Sequence, residues 1–121
     1  MNPQSNYAFY GSLRRGMVNY KRYAKGLKFL FQEAIPGYQL YEMEHYPYAV
    51  KTGSPADFIT VEVFEITDPA IERAIHQLEL SVGYYYDEVM IHQKQIGIYL
   101  FRDRGQERLV KGGDWVQFFG S

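Results

Sequence analysis

The sequence predicts an α+β fold of barrel-like form, rich in strands, with one or two short helices. Runs of Val, Ile, Phe, Tyr and Thr bounded by Gly and Pro recur along the chain, which is the mark of short strands. Only one long segment carries a sustained helical period. Strands and helices do not alternate, so a parallel βαβ sheet is excluded. With 121 residues and no linker, repeat or low-complexity tract, the expectation is a single domain over 1–121.

The elements follow in order. Tyr7-Ala8-Phe9-Tyr10 is a short aromatic strand stopped by Gly11, and the segment from Gly11 to Gly16 is a loop closed by Gly at both ends. Met17 to Lys25 has apolar or aromatic residues at 17, 20, 23 and 24, a short helix ended by Gly26. Leu27 to Ile35 is a strand, Pro36-Gly37 a turn, and Tyr38 to Met43 the next strand. Pro47 biases Tyr46 toward extended backbone. Gly53-Ser54-Pro55 turns the chain into a strand over Phe58 to Ile66. Asp68 is a suitable N-cap and Pro69 fits the first helical position. Ile71, Ala74, Ile75 and Leu78 then form one apolar stripe, and Gly83 ends the region. Tyr86 to His92 and Gln95 to Phe101 form an antiparallel strand pair. Asp103-Arg104-Gly105 makes a further turn, and Trp115 to Phe119 is a terminal apolar piece.

Composition narrows the function classes. A hydrophobic fraction of 46% excludes general disorder, and a formal charge of −1 gives no global field for nucleic acid or an anionic membrane. Without cysteine there is no disulfide framework, thiolate zinc site or cysteine nucleophile. No apolar run approaches the ~18 residues of a membrane span, and the first residues are polar, so a cytoplasmic protein is expected. Charge is uneven: Arg14, Arg15, Lys21, Arg22, Lys25 and Lys28 all precede the first acidic residue, Glu33. That basic third either meets an anion or is a solvated face balanced by acids elsewhere.

Few residues qualify for chemistry. The loop from Gly11 to Gly16 has the glycine spacing of a phosphate loop, but Met17-Val18 stands where Lys-Ser/Thr is required. Its backbone N–H groups, next to a helix N-terminus, could still cradle an anion; an ordinary tight turn is the competing reading. Ser12 lies outside a nucleophile elbow and has no nearby His base. Glu72, His76 and Glu79 share a helix edge, but two carboxylates and one imidazole make a poor metal site, so a solvated flank is expected. His45 and His92 are isolated. Glu79 borders the apolar stripe in the last helical turn, where burial and the helix dipole both raise a carboxyl pKa, as an acid/base needs; on position alone, a side chain that reaches past the helix end into water is the competing reading.

Taken together, Tyr10-Gly11-Ser12-Leu13, Pro36-Gly37-Tyr38-Gln39-Leu40, Tyr46-Pro47, Val61-Glu62-Val63-Phe64, Leu78-Glu79, Tyr86 and Gly113-Asp114-Trp115 occur in the order of the gamma-glutamylcyclotransferase-like family, which the chain resembles over most of its length. The chain departs from that family's pattern at His76, where Asp is common, at Leu80, where Gly is usual, and at Glu88, where Arg is frequent. The resemblance implies a mixed β-barrel and release of 5-oxoproline from a gamma-glutamyl amine or amino acid, without metal or cofactor. It implies Glu79 as the catalytic acid/base, and Tyr10, Gly11, Ser12, Leu13 and Tyr86 as substrate-binding residues. The expected partner is the small gamma-glutamyl substrate, with neither nucleic acid nor membrane. Two rivals use the same residues: a non-catalytic small-ligand binding protein of this fold, and a barrel binding single-stranded RNA through its aromatics and basic third.

Overall fold

Pairing along one central strand sets the architecture of the computed structural model, which describes residues 1–119. That strand, β5 (Phe58–Ile66), lies antiparallel to β2 (Leu27–Pro36) on one edge and to β1 (Asn6–Phe9) on the other. Beyond β1 come β7 (Lys94–Leu100), parallel to it, and β6 (Tyr85–Ile91), giving the order β2-β5-β1-β7-β6. A smaller sheet has the order β4-β3-β8, from β4 (Pro47–Lys51), β3 (Tyr38–Glu42) and β8 (Arg108–Leu109).

Two links join the sheets into a ring. The Phe101 N–H donates to the Ala49 carbonyl at 3.0 Å, tying the end of β7 to β4. On the far side the Thr60 N–H donates to the Gly113 carbonyl at 2.8 Å, tying β5 to the segment after β8. Gly113 is required there: its φ is +67°, and a Cβ would stand 2.1 Å from the Phe58 carbonyl oxygen. The barrel-like mixed fold predicted from the strand pattern is the fold observed.

The helices depart from the pattern in small ways. Helix α2 (Pro69–Ser81) starts where predicted, with the Asp68 carboxylate accepting from the Ala70 N–H at 2.9 Å. The segment predicted as one helix over 17–25 divides into α1 (Val18–Tyr23) and a 3₁₀ turn over 24–26. Gly26 passes so close beneath α2 that a Cβ would meet the Ile71 side chain at 2.5 Å, and the chain tightens to fit. The terminal apolar piece is a third helix, α3 (Trp115–Phe119), with Trp115 buried. Strands β6 and β7 run one residue earlier than predicted, because His92 and Gln93 take positive φ values of 52° and 64° in a tight turn.

The tyrosine excess is mostly core: eight of the twelve are buried, among them Tyr7, Tyr48 and Tyr99. Each buried hydroxyl then needs a polar partner, and several reach across the fold to find one. Tyr48 donates to Glu107 at 2.6 Å and Tyr84 to the Pro47 carbonyl at 2.5 Å. Among the described residues no helix is long and apolar enough to cross a membrane.

Candidate active site

The end of β1, the loop after it and the last turn of α2 converge on a cavity of about 170 Å³. Tyr10, Gly11, Ser12 and Leu13 form one wall, and Leu78, Glu79 and Val82 another. Tyr46-Pro47, Tyr84 and Tyr99 close it with apolar and aromatic surface.

The loop wall is built to leave N–H groups free. The Ser12 carbonyl accepts from the Asn19 and Tyr20 N–H groups, and its hydroxyl oxygen accepts from the Asn19 amide at 2.8 Å. The Gly11 carbonyl accepts from the Arg14 N–H at 3.0 Å. No hydrogen bond among the described residues uses the N–H groups of Gly11, Ser12 or Leu13. Three consecutive free donors facing a cavity suit a carboxylate oxygen.

Behind this wall lies a buried ion network. Arg14, 3% exposed, donates from Nε to Glu62 at 2.8 Å and from Nη1 to Asp114 at 2.7 Å. Glu62 also accepts from the Arg15 backbone N–H and from Arg15 Nε, both at 2.9 Å. Burial alone raises the Glu62 carboxyl, but the Arg15 N–H and both guanidinium groups outweigh it and hold the carboxyl below its ordinary range. The basic third therefore divides. Arg14 from the interior and the half-exposed Arg15 at its edge anchor the loop on Glu62, so of the two readings of the basic third these two arginines meet acids of this chain, not an external anion.

Glu79 is the one charged side chain lining the cavity. Its carboxyl has no hydrogen-bond or ion-pair partner among the described residues. Burial pushes its pKa up to about 7, so near neutral pH it can both accept and return a proton. Burial, one of the two causes that the sequence suggests, accounts for this direction.

Other expectations need correction. Tyr86 does not line the cavity: its hydroxyl donates to Glu88 at 2.5 Å and its ring edges onto Tyr7 and Tyr99. Tyr84, two residues earlier on the same face, and Tyr99, opposite Tyr86 in the ladder, stand at the cavity instead. Tyr10 contributes its ring and backbone only, since its hydroxyl donates to the Tyr99 carbonyl at 2.5 Å and accepts from the Ala49 N–H at 3.2 Å. Glu72 is no solvated flank, for it is buried and accepts from Ser5 at 2.8 Å and Tyr7 at 2.5 Å. No group of three His, Cys, Asp or Glu residues suited to a metal ion occurs among the described residues.

Gly11 has a structural task as well as a place at the cavity. A Cβ on it would stand 2.7 Å from Pro47 Cδ. Gly11→Ala is therefore expected to cost about 1–3 kcal/mol of stability by displacing the proline ring. Urea denaturation checks this; a wild-type midpoint would mean that Pro47 yields without cost.

Comparison with known proteins agrees with the geometry. The family model described as gamma-glutamyl cyclotransferase, AIG2-like, matches residues 7–117. A Pyrococcus horikoshii protein named provisionally as a gamma-glutamylcyclotransferase is 36% identical over 108 residues, 89% of this chain and 88% of that protein. Its crystal structure superposes with a TM-score of 0.79 at 34% identity, covering 94% of this chain and 92% of that one. The solution structure of protein ytfP from Escherichia coli gives a TM-score of 0.71 at 27% identity, covering 92% and 96%.

Proposed function

The chain belongs to the AIG2-like gamma-glutamyl cyclotransferase family and is a cyclotransferase enzyme; on that premise we propose that it releases 5-oxoproline from gamma-glutamyl amines or gamma-glutamyl amino acids, with Glu79 as acid and base. The observation that carries this reading is one cavity lined both by the unpartnered Glu79, its pKa pushed up to about 7 by burial, and by Gly11, Ser12 and Leu13, whose N–H groups are free. The loop amides hold the substrate's α-carboxylate, which places its α-ammonium toward Glu79. Glu79 takes a proton from that ammonium, and the freed amine attacks the γ-carbonyl carbon. A new C–N bond closes the five-membered ring, Glu79 returns its proton to the original amide nitrogen as that C–N bond breaks, and the second proton shed by the ring nitrogen passes to the departing amine, which leaves as an ammonium.

The substrate carries its own nucleophile, so the protein's main contribution is to hold two atoms of one molecule in contact. In the best intramolecular cases such placement supplies roughly 7–11 kcal/mol of the barrier. The buried Tyr84 and Tyr99, with the partly buried Leu78, exclude water that would otherwise solvate the ammonium.

The test is a panel of gamma-glutamyl amines and amino acids assayed for 5-oxoproline. Release from at least one class is expected, with kcat/KM rising as pH passes through about 7 and Glu79 loses its proton. Binding without release across the whole panel would favour the small-ligand binding reading.

A further inference from the structure

We propose that His76 is a positioning residue: it takes the hydrogen of the Tyr99 hydroxyl and leaves that oxygen as an acceptor for the substrate's α-amine, at the wall shared with Glu79. This rests on the cyclisation reading for the identity of the amine, but the His76–Tyr99 geometry does not.

The geometry constrains both partners. Tyr99 is 3% exposed, and its hydroxyl lies 2.7 Å from His76 Nδ1. Its ring stacks on Tyr7 and meets the edge of Tyr86, while its carbonyl is held by the Tyr10 hydroxyl, so the side chain has no room to swing. The hydroxyl has no other acceptor among the described residues. In the proposed tautomer its hydrogen goes to Nδ1, and the imidazole carries its own proton on Nε2. The arrangement requires a neutral ring. Burial, then the Met1 amino group, lowers the His76 pKa from its ordinary value, against a smaller opposing pull from Glu72 one turn earlier on α2. Tyr86 and Tyr99 face the same ring from β6 and β7.

His76 and Glu79 lie three residues apart, on one face of α2. Burial first, then the charges of Tyr7 and Glu79, raise the Tyr99 pKa. Tyr99 and Glu79 line the same cavity, and no hydrogen bond joins their side chains among the described residues. A protonated His76 would donate to the Tyr99 oxygen, and the hydroxyl hydrogen would turn from Nδ1 toward Glu79.

The deciding measurement needs no substrate. The Glu79 carboxyl is titrated by carbon NMR in the wild type, His76→Leu, Tyr99→Phe and the double variant. In His76→Leu the freed hydroxyl donates to the Glu79 carboxylate, and the Glu79 midpoint is expected to fall by about half a unit or more. In the Tyr99→Phe background the same His76 substitution should leave the midpoint where it is. Kinetically, His76→Leu should lower kcat about tenfold with KM little changed, and His76→Asn, which keeps a nitrogen near Nδ1, should restore most of it. An unmoved Glu79 midpoint in His76→Leu, or the same fall with and without the Tyr99 hydroxyl, overturns the proposal. If the wild type releases no 5-oxoproline, the cyclisation reading falls, and the titration still decides whether His76 directs Tyr99.

Discussion

Replacing Glu79 by glutamine is expected to lower 5-oxoproline release by about 10²–10⁴-fold, the usual loss of a positioned acid/base. Glutamine has the shape of glutamate and keeps a hydrogen-bonding end, so the cavity and its ligand affinity should survive. The same substitution should change stability in a pH-dependent way. A carboxyl with a native pKa of about 7, against an ordinary 4.5, keeps a proton that the unfolded chain releases. Native stability therefore falls as pH rises from about 4.5 to about 7 and stays low above that range. Glutamine does not titrate. The variant should be more stable than the wild type at pH 8, on the order of 2 kcal/mol, and the gap should close toward pH 4.5. Paired urea denaturation at the two pH values measures this, and a 5-oxoproline assay measures the rate. A surface glutamate would show neither effect, and wild-type turnover in Glu79→Gln refutes the catalytic assignment.

Glu62→Ala should unfold the protein more readily than any other single change in the cavity's surroundings. It leaves the Arg14 guanidinium buried with Asp114 alone, and strips Arg15 of its carboxylate and backbone acceptor. Removing one partner of a buried ion network costs about 3–5 kcal/mol, mostly because the remaining charge stays out of water. For a chain of this size that corresponds to a Tm lower by about 10–20 °C. Glu62→Gln keeps an oxygen for the Arg15 N–H and should lose less. The native pKa of Glu62 is depressed, so its stabilisation is present above the ordinary carboxylate value and is lost as pH falls through the native one. The acid limb of a stability–pH curve should accordingly flatten in Glu62→Gln. An alanine variant that melts within a few degrees of the wild type would show that the network contributes little.

What was legible in the sequence follows the strength of local signals. Strand β5 and helix α2 were readable to the residue at their starts, because β-branched alternation and the Asp68-Pro69 start are local properties. Helix α3 was not, since five residues carry less than two turns of period. Glu79 and the 10–13 loop were legible through motif and stripe position, and the structure brings both to one cavity. Tyr84 and Tyr99 were missed and Tyr86 misplaced for one reason. Alternation fixes which strand residues share a face, but not which of them lies level with the cavity. The partners of Arg14 and Arg15 are not legible, because a charge run states its sign and not its partner. Glu72 falls three residues before the buried Ile75 on the same helix face, so its inward lean is written in the spacing, although a solvated flank is what the sequence leads one to expect for it.

The Arg14–Asp114 bridge has a consequence for the order of folding. It joins residues 100 apart, and the neighbouring closure between Thr60 and Gly113 also spans nearly half the chain. Contacts this distant form late, after the loops between them have lost their freedom. A growing polypeptide can assemble β2 against β5 early, but its 11–16 loop gains the Asp114 contact only once the segment around residue 114 has emerged. The loop amides are thus locked in place only after the segment around residue 114 has been made, and the loop's final geometry arrives with that segment.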